Sequence, residues 1–180
     1  MPSRTESPSK TPVFPIPEVW LQAVEDPQLR DLPYKVETNE HEQLVLSPYK
    51  LRHTIYQSRI ANLLLESRQA SKLPEGTWLT EVSVATSRGV KVPDVAWASQ
   101  ERIDQVGIDA PAMTVAPELV VEVFSESNSR AEIAGKRELY FEVGAIEVWT
   151  CSRDGRMVFY DREGEIPASR LVPSFPSKID

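Results

Sequence analysis

An α/β domain with a central mixed sheet flanked by helices is the fold this sequence predicts, on three observations. Two stretches, one after Ser47-Pro48 and one after Ser129, carry apolar residues at offsets of three and four, the period of a helix with one buried face. Short segments rich in Val, Trp and Thr alternate between two faces, as half-buried strands do. The order along the chain is helix, strands, helix, strands, which gives a sheet helices to pack against.

At 180 residues, 41% hydrophobic and 26% charged, the chain has the length and composition of one ordinary globular domain, which excludes disorder throughout. Twenty basic residues against twenty-seven acidic ones give a net charge of −7. A general polyanion-binding surface is therefore excluded, and any nucleic-acid contact must be local. One cysteine, Cys151, rules out an internal disulfide framework, and with two histidines it cannot build the usual four-ligand zinc site. A reducing, cytoplasmic location is expected. Leu119 to Phe124, the most apolar stretch, is too short to cross a bilayer and contains Glu122. The first residues lack a continuous apolar run, so secretion is not expected.

Residues 1–17 hold five prolines among Ser, Thr and Lys and are expected to form a flexible arm, with residues 18–180 as a single domain. From Glu18 to Asp31 a helical stretch anchored by Trp20, Leu21, Val24 and Leu29 is broken by Pro27. Tyr34 to Leu46 has strand residues at both ends around Asn39-Glu40-His41-Glu42, a hairpin pattern. Ser47-Pro48, a capping hydroxyl followed by proline, is expected to open the first major helix. Tyr56, Ile60, Leu63 and Leu64 share its core face, with His53 on the same stripe. Pro74-Glu75-Gly76 turns the chain into Trp78 to Ala85, which Arg88-Gly89 joins to Val90 to Ala98 as a second hairpin. Residues 99–116 read as a loop with a helical turn at Gln100 to Val106. Glu118 to Phe124 is a strand covered on both faces, and Ser129 to Val143 is the second helix, stopped by Gly144. Ile146 to Cys151 and Met157 to Tyr160 are strands joined at Asp154-Gly155.

Three charged residues stand where the pattern asks for apolar ones. Glu122 lies mid-strand among Val120, Val121, Val123 and Phe124, where a lone carboxylate is strongly disfavoured. Lys136 falls on the core stripe of the second helix with Ile133, Tyr140 and Val143, so the two charges can meet. Asp94, after Pro93, is expected to share a strand face with Val90, Val92 and Ala96. Each alone has a structural explanation, a buried ion pair or a snorkelling lysine. Together, two carboxylates on neighbouring strands can hold a divalent magnesium ion beside a fixed positive charge, the equipment of phosphodiester hydrolysis.

These pieces, Val92-Pro93-Asp94, Glu122 within Leu-Val-Val-Glu-Val-Phe-Ser, Lys136 ahead of Leu139-Tyr140, and Gly144 to Trp149, resemble the Uma-type putative restriction endonuclease family of the PD-(D/E)XK nuclease superfamily. The similarity runs from about Tyr34 to Pro173 and includes Leu46 to His53. It implies a restriction-endonuclease-like αβββαβ core and Mg2+ as cofactor, with Mn2+ as a substitute. It further implies that Asp94, Glu122 and the Val123 backbone carbonyl bind the ion, and that Lys136 orients or stabilises the attacking water. In the superfamily the lysine stands two residues after the acid, where this chain has Phe124, so Lys136 supplies the charge from the helix. The usual Asp-Gly turn before the first helix is replaced by residues 39–42. A first acidic contributor therefore stays open between Glu81 and Glu37, and His53 and Tyr140 are auxiliary candidates.

The expected function is a magnesium-dependent DNA endonuclease, acting as a homodimer so that two copies of one site cut both strands. Arg52, Arg59, Arg68, Arg130 and Arg137 are candidates for the local basic contacts to DNA. The alternative is a catalytically silent nucleic-acid-binding or assembly module on the same fold, which the acidic net charge favours; a small phosphoesterase acting on nucleotides is a third reading. Ser7 to Lys10 and Ser47 to Lys50 match S-x-x-K without the companion elements of acyl-transfer enzymes, and no phosphate-binding glycine loop or zinc-protease motif occurs. Cys151 reads as a buried thiol.

Overall fold

The structure is a computed structural model that describes residues 11–30, 32–67, 71, 73–124 and 129–179. Its elements run α1 (Glu18–Glu25), α2 (Pro27–Arg30), β1 (Tyr34–Thr38), β2 (Leu44–Pro48), α3 (Leu51–Glu66), β3 (Gly76–Thr80), β4 (Val84–Thr86), β5 (Gly89–Lys91), β6 (Val95–Ser99), α4 (Gln100–Val106), β7 (Leu119–Val123), α5 (Arg130–Glu142), β8 (Glu147–Cys151), β9 (Met157–Asp161) and β10 (Gly164–Ile166). Six strands form one mixed sheet in the order β10-β9-β8-β7-β6-β3. Within it β7 and β8 are parallel and the other neighbours antiparallel. A parallel pair requires a crossover, and α5 supplies it.

The two-residue period of β7 decides what each face buries. Leu119, Val121 and Val123 join Ile60 and Leu64 of α3 and Trp149 of β8 in one core. Val120 and Val148 turn the other way, under Tyr140 and Phe141 of α5. Glu122 alternates with Val121 and Val123 and therefore lies on the α5 side. In chain order α3, β3, β6, β7, α5 and β8 make up an αβββαβ core, with the β4–β5 hairpin inserted and the sheet extended by β9 and β10. The last of these strands was not foreseen in the sequence.

The second helix forms as its ends dictate. Ser129 and Glu132 make a reciprocal capping box, the backbone of each donating to the side chain of the other at 2.8 and 3.1 Å. Gly144, at φ 105°, carries the chain out of the helix.

Four expectations need correction. Ser47-Pro48 does not open α3: both residues pair in β2, against Lys35 and Tyr34, and the helix starts at Leu51 without a side-chain cap. Cross-strand pairing outcompeted a cap worth about 1 kcal/mol. Trp78–Ala85 and Val90–Ala98 are four strands rather than two, with β3 pairing β6 and β4 pairing β5. Glu81 adopts a left-handed φ of 54° just after β3, and Pro93, which has no N–H to donate, follows the end of β5. Asp94 consequently shares no strand with Val90, Val92 and Ala96 but sits at the break before β6. Finally, residues 11–17 do not stand free. Phe14 packs on the α5-side core and Ile16 on Trp20, Val90 and Val92; residues 1–10 lie outside the described residues.

Candidate functional site

Asp94, Glu122, Val123, Lys136 and His53 line one cavity of about 30 Å³, together with Lys35, Ser47, Pro48 and Tyr49. That volume admits about one water-sized group. The site lies where β6 begins and β7 ends, reached by α3 from one face of the sheet and by α5 from the other.

Asp94 is fixed first by its backbone, whose N–H donates to the Val121 carbonyl at 3.1 Å and whose carbonyl accepts from Gln57 Nε2 at 2.9 Å. Its side chain is fully buried. Oδ2 accepts from the Val123 N–H at 2.6 Å, and Oδ1 meets His53 Nε2 at 3.1 Å and the Lys35 ammonium. Burial by itself would raise this carboxyl's pKa, but Lys35 and His53 outweigh it and hold the group well below the usual carboxylate range.

Glu122 shows the opposite balance. Its Oε1 accepts from the Tyr140 hydroxyl at 2.6 Å and lies 3.6 Å from Lys136 Nζ. Burial dominates and raises the carboxyl above its ordinary value, with Asp94 and Glu37 adding to the rise and Lys136 and Lys35 opposing it. The same burial pushes the Tyr140 hydroxyl well up, so the phenol stays a donor.

Lys136 reaches the cavity from α5 and places Nζ 2.6 Å from Glu37 Oε1. Burial lowers its pKa, but Glu122 and Glu37 more than restore it, and the ammonium stays charged. Lys35 behaves alike: burial lowers it, while Asp94 and Glu122 raise it further. Glu37 is itself pinned, its Oε1 also accepting from the Val92 N–H at 2.9 Å.

The structure thus brings Asp94, Glu122, Val123, Lys136, Tyr140 and His53 together, with Glu37 behind Lys136. Glu81 is not among them; it is exposed and accepts from the Tyr49 hydroxyl at 2.9 Å. Of the basic residues, Arg52, Arg59 and Arg130 are exposed, whereas Arg137 turns away, its guanidinium 4.2 Å from the Tyr160 ring centre. Arg68 lies outside the described residues. Cys151 is buried, and burial pushes its thiol up to about 12, which suits packing rather than nucleophilic attack. Lys35 was missed in the sequence, where nothing within Tyr34–Thr38 marks its side chain as buried.

Two carboxylates and a backbone carbonyl, one from the break before β6 and two from the end of β7, are hard oxygen donors of the kind Mg2+ takes, and all three residues line the same cavity. Among the described residues no three His, Cys, Asp or Glu side chains cluster closely enough to hold a metal, so such a set relies on the Val123 carbonyl. The lysines change one inference from the sequence. Asp94 and Glu122 already have positive partners, so their burial alone does not demand an ion.

A family model described as "Uma2: Putative restriction endonuclease" matches residues 16–175. A solved structure described as a "putative nuclease belonging to DUF820 from Anabaena variabilis ATCC 29413" is similar in fold, with a TM-score of 0.64 at 15% identity, covering 79% of this chain and 86% of that one. A comparison with curated proteins finds no match.

Proposed function

The chain belongs to the Uma2 family, and on that premise we propose that it is a magnesium-dependent DNA endonuclease whose working residues are Asp94, Glu122, Val123 and Lys136. The observation that carries this reading is the convergence of those four residues on one cavity, whose lining includes the exposed Pro48 and Tyr49. A divalent ion held by Asp94, Glu122 and the Val123 carbonyl would supply Lewis-acid polarisation of a phosphoryl oxygen and an acidified water. The chain's own groups do the rest. The Val123 N–H orients Asp94, Tyr140 orients Glu122, and Lys136, held charged by Glu37 and Glu122, stabilises negative charge as it develops on the phosphate.

Charge counting supports a diester over a monoester. With Glu122 ionised, the carboxylates of Asp94, Glu122 and Glu37 face the ammonium groups of Lys35 and Lys136, one negative charge in excess among these five side chains. A divalent ion would turn that into one positive charge. This complements a phosphodiester better than a phosphomonoester, which carries about 1.5 to 2 negative charges. The exposed Arg52, Arg59 and Arg130 supply local contacts for DNA on a chain that is acidic overall. We assign the cut to a homodimer, one site per strand, in a reducing cytoplasm.

A silent binding module on the same fold is favoured by one observation, the neutralisation of the carboxylates by the protein's own lysines. A cleavage assay on plasmid and single-stranded DNA with Mg2+, Mn2+ or chelator separates the two. Cutting that needs the ion and is lost in Asp94→Asn supports the enzyme; DNA binding without cutting in either ion supports the module.

A further inference from the structure

We propose that Lys35 is the built-in counter-cation of this site: its ammonium holds the Asp94 carboxylate where a divalent ion would bind, and an ion enters only by displacing it. The inference rests on the reading of Asp94 and Glu122 as ion ligands and concerns what governs their loading. Among the described residues the Asp94 carboxylate has three partners. The Val123 N–H is backbone and cannot leave without moving the sheet, and His53 reaches Asp94 from α3 on a short side chain with two torsions. Lys35 alone approaches on a flexible four-carbon stem.

Its backbone cannot retreat with it. The Val90 N–H donates to Thr38 Oγ1 at 2.7 Å, Lys91 Nζ to the Thr38 carbonyl at 2.6 Å, and the Val92 N–H to Glu37 at 2.9 Å, so the end of β1 is tied to residues 90–92, while Lys35 itself is held in register opposite Ser47 of β2. A displaced Lys35 therefore stays at the cavity wall as a charged group. Lys136 cannot substitute in this exchange, because Glu37 and Glu122 both hold it. Two consequences follow from one side chain. Free ions bind weakly, since each must expel a buried ammonium from a buried carboxylate; and an anion at the mouth of the cavity, beside the exposed Pro48 and Tyr49, gives the expelled ammonium a new partner, so ion and phosphate load together.

Calorimetric titration with MnCl2 tests this on the parent chain, Lys35→Met and Lys35→Arg. Methionine keeps the length and removes the competitor, so Lys35→Met should bind Mn2+ at least about tenfold more tightly than the parent, or bind where the parent does not. Lys35→Arg, which keeps the charge, should retain the parent's weak affinity. Equal or weaker affinity in Lys35→Met, beside a parent that binds, overturns the role of Lys35 and leaves the ligand assignment standing. No binding by either overturns both. If Lys35→Met is unfolded without the ion, circular dichroism decides: refolding with MnCl2 but not with NaCl supports the exchange, and failure to refold overturns it.

Discussion

Glu122 and Glu147 are buried carboxylates on adjacent, parallel strands of the same sheet, exposed by 3% and 1%. Their surroundings differ in kind. Among the described residues Glu147 receives only neutral donors: the Arg170 and Leu171 N–H groups at 2.7 and 3.0 Å on one oxygen, and Trp149 Nε1 and Ser169 Oγ at 2.8 and 2.7 Å on the other. Each donor is fixed by the chain around it, and together they fasten the segment after β10 to the sheet. Glu122 instead meets a phenol and an ammonium on a flexible stem, with Asp94 close enough to raise its pKa. A carboxylate saturated by fixed dipoles is built to stay as it is, while one balanced by movable charges can exchange partners.

The comparison breaks most readily at Glu147. Glu147→Gln turns an amide NH2 toward donors that need an acceptor, and chemical denaturation should show a loss of about 2–4 kcal/mol. Cleavage by the folded fraction should be unchanged; a variant as stable as its parent would make the anchoring incidental.

Next in size is Lys136→Met, which keeps the aliphatic packing of α5 and removes the charge. DNA cleavage should fall about a hundredfold, roughly 2.7 kcal/mol in barrier, with DNA binding little changed. Parent-like cutting would show that the helix lysine serves only the ion pairs with Glu37 and Glu122.

The smallest effect belongs to Glu122→Gln in the ion-free protein. Glutamine can still accept from Tyr140, and Lys136 keeps Glu37, so stability at neutral pH should stay within about 1 kcal/mol of the parent or exceed it. The pH profile sharpens the point. Because burial raises the folded carboxyl above the unfolded value of about 4.3, the native parent holds a proton through that window and loses stability as rising pH removes it. The variant cannot titrate there, so denaturation from pH 4.5 to 7.5 should show it gaining on the parent as pH rises. A widening deficit would mean that ionised Glu122 is as structural as Glu147.

How much of this could be read from the chain depended on whether burial came from local period or from distant contact. The meeting of Lys136 with Glu122 was legible, because Ile133, Lys136, Tyr140 and Val143 mark one stripe of a helix that follows the strand directly. Asp94 was legible as an anomaly but for an incorrect local reason, since a proline break rather than a strand face positions it. Lys35 was not legible, and Glu37, open as a first acidic contributor, was not legible as the partner of Lys136. Nothing within β1 says that residues 90–92, more than fifty positions later, will seal its charged face. The distinction between Glu122 and Glu147 was equally invisible, because the donors that satisfy Glu147 come largely from an irregular segment twenty-odd residues downstream.

The span of the site's ion pairs along the chain bears on how the molecule assembles. Lys35 and Asp94 are 59 positions apart, and Glu37 and Lys136 are 99. Such contacts form only after long loops have closed, and the groups that make them must lose their hydration at that moment. The helices and the hairpin between β8 and β9 can organise while these charges are still in water, so the polar centre is expected among the last contacts to form on folding. Substitutions there would then register in the rate at which the native state is lost and leave the rate of its formation nearly untouched.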